Sequence, residues 1–480
     1  MTTAGLNFIS SICWVKQGAA MNVPHKVKLR KEEIQKFLND PNFDENSGDE
    51  EVDDEQQDVE KKYNMDDYDN EDVDTVGAQL AGLACFASSS EDPNLKDDVD
   101  SSDSEDEKEA FHLQDTDNLI VIGRVDDDCA ALEVYVYNES EGDMYVHHDA
   151  ILPAYPICME WLNYHVGEQD GTTGNYIAVG DVGPVISIWN LDVVDLLEPS
   201  MKLGKKEKKK KKSKPRVKGF GHTDSVISLH WNRLERHILA SGSADKSVLL
   251  WDLNTAKPTV TISEHTDRVQ GVRFHPFEAP SLLSASADGT VKLWDVRETK
   301  SSCRSWDVGN EVESVLWDHF SPFHFFAASE PGSIFAFDVR QASTPVFTVC
   351  AHQKSISCMS LSSHCPGLMV TAGEDQLIKV WDVEDKTNPK FILEHALDIG
   401  RLLSLECAVD QPFVIAIGGD EGENNFVTFD LMKKFPAQME AFKGRRLMKV
   451  VDTVENKKTS ITVDAARDDD EGMDSDNEEE

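Results

Sequence analysis

His222, Ser241 and Asp245 are the residue types of a hydrolase triad, in which an imidazole base, oriented by a carboxylate, activates a hydroxyl nucleophile. The same types recur, however, as His265, Ser284 and Asp288 and again as His352, Thr371 and Asp375. In every copy the Asp stands six residues before a Trp (Trp251, Trp294 and Trp381), and the hydroxyl stands four residues before the Asp. Two residues before it stand Ser243, Ser286 and Gly373, so only the first position always offers a hydroxyl. Catalytic sites are not stamped out three times in one chain, and the chain is read as no enzyme. The sequence also lacks a His-Glu-x-x-His motif, a Gly-rich phosphate loop and a Cys/His cluster of zinc spacing. No cofactor, metal or small-molecule substrate is therefore expected. His147-His148 comes nearest to a metal pair, but neighbours on a strand point to opposite faces, so it reads as structural.

The repetition has a period. Trp251-Asp252, Trp294-Asp295, Phe337-Asp338, Trp381-Asp382 and Phe429-Asp430 are separated by 43, 43, 44 and 48 residues. YPICMEW (155–161), SVISLHW (225–231), RVQGVRF (268–274), EVESVLW (311–317) and SISCMSL (355–361) alternate in polarity as half-buried strands do. Each leads into a β-rich run, a tight polar turn and a strand such as TVKLWD, which makes four short strands per repeat and the pattern of a propeller blade. With the basic insertion 198–218 set aside, residues 117–442 leave 305 positions, about seven periods of 43. The expected fold is all-β, a seven-bladed propeller. Its first blade lacks an opening strand at Leu119–Asn138, and FISSICW (8–14) matches the missing pattern. Residues 1–16 are thus read as the first strand of blade 1, 17–116 as an insertion looping out of it, and 443–480 as an acidic tail.

Charge is unevenly spread along the 480 residues, whose net charge is −42. Asp40–Glu109 holds 27 acids against four bases, and Asp468–Glu480 nine acids and no base. Both segments are too polar to bury a core and are expected to be disordered. Ser102, Ser104 and Ser475 lie in them with an acid three residues on, the context of acidophilic kinases. Lys202–Lys218 reverses the sign with eleven bases and one acid. Its unbroken run, Lys208, Lys209, Lys210, Lys211 and Lys212, reads as a nuclear localisation signal in a solvated loop. RNA contact through this loop is a weaker reading, because no aromatic residue is interleaved to stack bases. Two short apolar faces, Ile34/Phe37/Leu38 and Val76/Leu80/Leu83/Ala87, suit docking on the chain's own surface or on a partner. No apolar stretch approaches the roughly 18 residues that span a bilayer. The nine scattered cysteines form no Cys-x-x-Cys pair, so buried thiols in a reducing compartment are expected.

These residues resemble the WD-repeat family. The resemblance implies a structural tetrad in which Asp holds His and the hydroxyl links His to the indole N–H, so that buried polar groups are satisfied. Blades around Phe337 and Phe429 depart from it: phenyl rings donate nothing, Pro331 and Glu423 replace the Asp, and packing alone must serve there. More specifically, DNLIVIGR (117–124), LEVYVYN (132–138), YVHHD (145–149), EWLNY (160–164), TGNYIAVG (173–180), HPFEA (275–279) and HFSP (319–322) are similar to the periodic tryptophan protein 1 family. The order of N-terminal strand, acidic insertion, blades and Lys-rich loop also matches, whereas Asp468–Glu480 has no counterpart. That resemblance implies a chromatin-associated scaffold of nucleus and nucleolus, supporting ribosomal RNA transcription and processing and ribosome biogenesis, with proteins of pre-ribosomal or chromatin complexes as partners. Two alternatives remain at this level: a histone-binding chaperone whose acidic arms shield basic tails, and a ubiquitin-ligase substrate receptor.

Overall fold

Stretches with period-two polarity form strands, because one face can then be buried against a neighbouring sheet. The computed structural model describes residues 6–26, 111–114, 116–127, 129–138, 143–167, 172–194, 196–205, 220–298, 304–341, 344–422, 424–453 and 458–463, with side chains described as far as 447. Seven antiparallel sheets follow one another. From the innermost strand outward, blade 1 is Asn7–Val15, Asn118–Asp126, Cys129–Asn138 and Asp143–Leu152, and blade 2 is Pro156–Leu162, Tyr176–Asp181, Ile186–Asn190 and Met201–Leu203. Blade 3 is Val226–Trp231, Ile238–Ser243, Val248–Asp252 and Lys257–Ile262, and blade 4 is Val269–Phe274, Ser281–Ser286, Thr290–Asp295 and Arg304–Asp307. Blade 5 is Val312–Trp317, His324–Ser329, Ser333–Asp338 and Phe347–Cys350, and blade 6 is Ile356–Leu361, Leu368–Gly373, Leu377–Asp382 and Lys390–Ala396. Blade 7 has three strands, Leu402–Cys407, Val414–Gly419 and Phe426–Asp430. The innermost strands touch in sequence and the last touches the first, so the blades close into a seven-bladed propeller.

Asn7–Val15 is separated from the rest of blade 1 by about a hundred residues, yet it carries the mark of an innermost strand. All seven innermost strands break register with their neighbour, six of them at their second residue and Asn7–Val15 at its fourth, between Ile9 and Ser11. Such bulges sharpen the local twist that a strand needs at the axis of a propeller. The core is divided accordingly into seven apolar clusters, one between each pair of neighbouring blades. Ile9, Ile12 and Trp14 of the N-terminal strand meet Val414, Ala416 and Phe426 of blade 7 in the cluster that closes the ring.

The alternation rule fails at His147-His148. Strand Asp143–Leu152 bulges so that His148 faces Val134 while Val146 faces Tyr135, and His147 is the extra residue. Both imidazoles therefore lie on the same side, with their Nδ1 atoms 2.7 Å apart, and burial lowers the His148 imidazole to about 4. Not every thiol is buried either: Cys13, Cys365 and Cys407 are, whereas Cys129 and Cys350 are exposed. Within 443–480, Met448–Thr453 and Lys458–Val463 pair as a hairpin. Residues 26–112 are a separate unit almost wholly outside the described residues, and the two apolar faces at 34–38 and 76–87 lie there.

Candidate functional site

In blade 3 the His lies in the loop that enters the innermost strand, the hydroxyl in the second strand, the Asp in the following turn and the Trp in the third strand. Their polar atoms meet in one chain. His222 Nδ1 lies 3.0 Å from Asp245 Oδ2, His222 Nε2 lies 2.7 Å from Ser241 Oγ, and Trp251 Nε1 donates to the same Oγ at 2.8 Å. The carboxylate can only accept, so Nδ1 carries the imidazole proton; Nε2 then accepts from Ser241, whose lone pair takes the indole N–H. Burial works to raise the Asp245 carboxyl, but hydrogen bonds from His222, Ser247 and Thr223 hold it far below the usual carboxylate range. Blade 4 repeats the arrangement with His265–Asp288 at 2.9 Å, His265–Ser284 at 2.7 Å and Trp294–Ser284 at 2.8 Å. Blade 6 does so with His352–Asp375 at 2.9 Å, His352–Thr371 at 2.8 Å and Trp381–Thr371 at 3.2 Å. Burial lowers the His265 and His352 imidazoles, and Asp288, despite its own burial, is held at about 2 by bonds from Thr290, Thr266 and His265.

The connectivity from Asp through His to hydroxyl is that of a hydrolase triad, but the surroundings are not. Ser241, Ser284 and Thr371 have 0% accessibility, and each oxygen is already engaged by an indole N–H, which leaves no approach for a substrate carbonyl. What the arrangement does is satisfy buried polar groups while tying an entering loop to two strands and a turn of its blade. Blade 5 shows the apolar alternative. Phe337 packs with Phe325 at 5.1 Å and with Trp306 at 6.3 Å, while Val308, Ala327 and Pro331 stand where His, hydroxyl and Asp would. With every polar partner gone, none is left unsatisfied. In blade 7, Glu423 lies outside the described residues.

A second polar system links the blades to one another, and the periodicity of Trp-Asp pairs does not reveal it. The residue just before the closing position of an innermost strand's alternating stretch (Trp14, Trp161, Trp231, Leu361 and Cys407) reaches the N–H of the closing residue in the next. Glu160 Oε1 accepts from Trp231 N at 3.0 Å, His230 Nδ1 from Phe274 N at 3.1 Å, Ser360 Oγ from Cys407 N at 3.0 Å, and Glu406 Oε2 from Trp14 N at 3.0 Å. Cys13 meets the backbone of Trp161 in the same way. Burial, with Arg273 and Arg233 nearby, holds the His230 imidazole well below its ordinary range, which suits an Nδ1 that accepts. Burial, and then the charge of Glu160, pushes the Glu406 carboxyl up to about 8. Glu406 also receives the Trp14 indole N–H at its carbonyl, so it latches the N-terminal strand onto blade 7 twice. The signal in the sequence is a polar or thiol residue (Cys13, Glu160, His230, Ser360 and Glu406) placed just before the closing residue of the alternating stretch.

Lys208–Lys212 and the serines Ser102, Ser104 and Ser475 lie outside the described residues. The model of the WD domain, G-beta repeat, matches residues 214–252, 256–295 and 343–382, and these spans end at the Asp after each tetrad Trp. Across the whole chain the likeness is to a periodic tryptophan protein 1 homolog of Drosophila melanogaster, 33% identical over 437 residues, which are 87% of this chain and 92% of the fly protein. This chain belongs to the periodic tryptophan protein 1 family. An uncharacterized WD repeat-containing protein of Schizosaccharomyces pombe is 39% identical over 352 residues, 72% of this chain and 67% of that protein. Periodic tryptophan protein 1 of Saccharomyces cerevisiae is 40% identical over 189 residues, 32% of this chain and 33% of its own. Propellers of WD repeats form a family of non-enzymatic scaffolds that hold proteins together. In this member the three tetrads that a hydrolase motif would resemble are buried in the blades.

Proposed function

We propose that the chain is a non-catalytic scaffold of the nucleus and nucleolus that supports ribosomal RNA synthesis and processing and the assembly of ribosomes, in association with chromatin. The observation that carries this reading is family membership over nearly the whole length, 87% of this chain and 92% of the fly relative. The sealed tetrads agree with a role in holding partners and not in turning over a substrate. The Lys208–Lys212 run serves nuclear import, and Ser102, Ser104 and Ser475 are phosphate acceptors that deepen the negative charge of the arms. Mass spectrometry that covered these serines in protein from growing cells and found them unmodified would remove the last point.

Depletion of the protein should lower precursor ribosomal RNA or stall its processing, and a reintroduced propeller should restore it. Normal synthesis and processing after complete depletion would sink the proposal. The concentration of 27 acids within Asp40–Glu109 favours one second reading, a chaperone for basic histone tails. That reading requires RNase-resistant histone binding lost on deletion of 40–109, with ribosomal RNA output little changed.

A further inference from the structure

Among the described residues, blade 7 is the one sheet of the ring without a fourth strand. Its last strand, Phe426–Asp430, pairs with Val414–Gly419 on one side and, among the described residues, with no strand on the other. The open side shows in the burial. Only Phe426 of these five residues is buried, against four of five in the equivalent Val248–Asp252 of blade 3. Thr428 Oγ1 is buried and has no hydrogen-bond partner. Beside the edge, Phe429 lies 6.4 Å from His395 of blade 6, and on the other face Phe426 lies 5.2 Å from Tyr135 of blade 1. Lys434 places its ammonium 3.8 Å from the centre of the Phe429 ring and has no ion-pair partner among the described residues.

The chain's own continuation is led away from this edge. Asp430 caps a short helix, Leu431–Lys434, by accepting from Met432 N and Lys433 N. A 3-10 turn, Gln438–Phe442, then buries Met439 and Phe442 between blades 6 and 7. Arg445 donates to Asp382 at 3.0 and 2.8 Å and to the Pro366 carbonyl at 2.7 Å, all on blade 6. It takes the place that Arg297 and Arg340 hold on Asp295 and Asp338 in blades 4 and 5. The strands Met448–Thr453 and Lys458–Val463 then pair with each other and belong to no blade.

We propose that the outer edge of blade 7 is a docking site for an extended segment of a partner protein, which adds as the fourth strand. Backbone groups of Phe426–Asp430 supply the affinity of such strand addition, and the flanking side chains supply the selection. On the face of Phe429 the incoming side chains meet His395 and Phe435, whose rings are 5.0 Å apart. In blade 6, Phe391 faces Trp381, and Phe429 is the matching residue of blade 7, so the incoming residue opposite Phe429 shares its face with Lys434. The Lys434 ammonium makes that position select an acidic residue. A second copy presenting the same edge would set Lys434 against Lys434.

The probe is a fluorescein-labelled peptide of residues 388–398 of this chain, blade 6's own fourth strand with its flanks, made with Phe391→Lys and with Phe391→Glu. Titrated into the full chain, the Glu peptide should bind saturably and at least about tenfold tighter than the Lys peptide, and Lys434→Glu in the protein should invert that order. Hydrogen exchange should slow at amides within 426–430 and at no other edge strand. Absence of binding, protection elsewhere, or an order unchanged by Lys434→Glu overturns the proposal. So does protection of 426–430 before peptide is added, whether released by ending the chain at 447, which marks the chain's own hairpin as occupant, or by dilution, which marks a second copy.

Discussion

At the residue scale, polar groups within the propeller are costly unless paired, and two systems pair them. His222→Ala removes a donor from Asp245 and a partner from Ser241 while Trp251 stays in place, so it should cost about 1–3 kcal/mol. Urea unfolding of the two proteins measures this, and equal midpoints would refute the tetrad's contribution. Glu406 makes the opposite demand on pH. Its carboxyl sits at about 8 in the fold against an ordinary 4.5, raised by burial first and by Glu160 second. The folded chain therefore keeps a proton that the unfolded chain releases above about pH 4.5, so this residue's contribution is full below that pH and is lost as pH rises through about 8. Glu406→Gln mimics the protonated form. The stability of the variant relative to the parent should thus grow as pH is raised from about 5 to about 9, and parallel curves would show that Glu406 titrates normally.

At the element scale, the N-terminal strand closes the ring. It supplies the innermost strand of blade 1, buries Ile9, Ile12 and Trp14 against blade 7, and is held by both the side chain and the carbonyl of Glu406. Deleting 1–16 exposes the edge of Asn118–Asp126 and opens the cluster between blades 7 and 1, so the whole ring should melt at lower temperature. Deleting 40–109 removes none of these contacts and should leave the melt unchanged. Thermal unfolding of the two deletions decides the matter, because a 1–16 deletion as stable as the intact chain contradicts a closing role. Blade 5 makes the complementary point that a blade holds without a tetrad. There Phe337 packs with Phe325 and Trp306, and Val308, Ala327 and Pro331 at the tetrad positions leave no polar side chain to satisfy.

At the scale of the whole molecule, function rests on what the propeller presents and on where the chain is carried. The Lys208–Lys212 run lies between the fourth strand of blade 2 and the first of blade 3, so replacing it with Ser leaves every blade strand intact. Melting behaviour should not change, whereas the fraction of the protein in the nucleus should fall. Imaging of a tagged chain measures this, and unchanged nuclear accumulation removes the import reading.

The number of blades and the polarity of each strand are legible in the residues alone, because both depend on neighbours a few positions apart and recur every 43 or so. The hydroxyl, Asp and Trp of a blade also stand at constant offsets, since hairpin-linked strands return the chain to the same point in each repeat. The links between blades leave only a polar residue before the closing position of a stretch, with nothing beside it to say what it meets. Glu406 and Trp14 are 392 positions apart, and Arg445 finds Asp382 across 63. These pairs exist only once the ring has closed, and no spacing foretells which remote N–H or carboxylate a side chain will face. The His147-His148 pair shows the same limit at short range. Alternation assigns the two rings to opposite faces, but one residue inserted against the partner strand rotates His147 to the side of His148. A bulge is a property of two strands in register, so it is decided by tertiary structure and not by the segment that carries it.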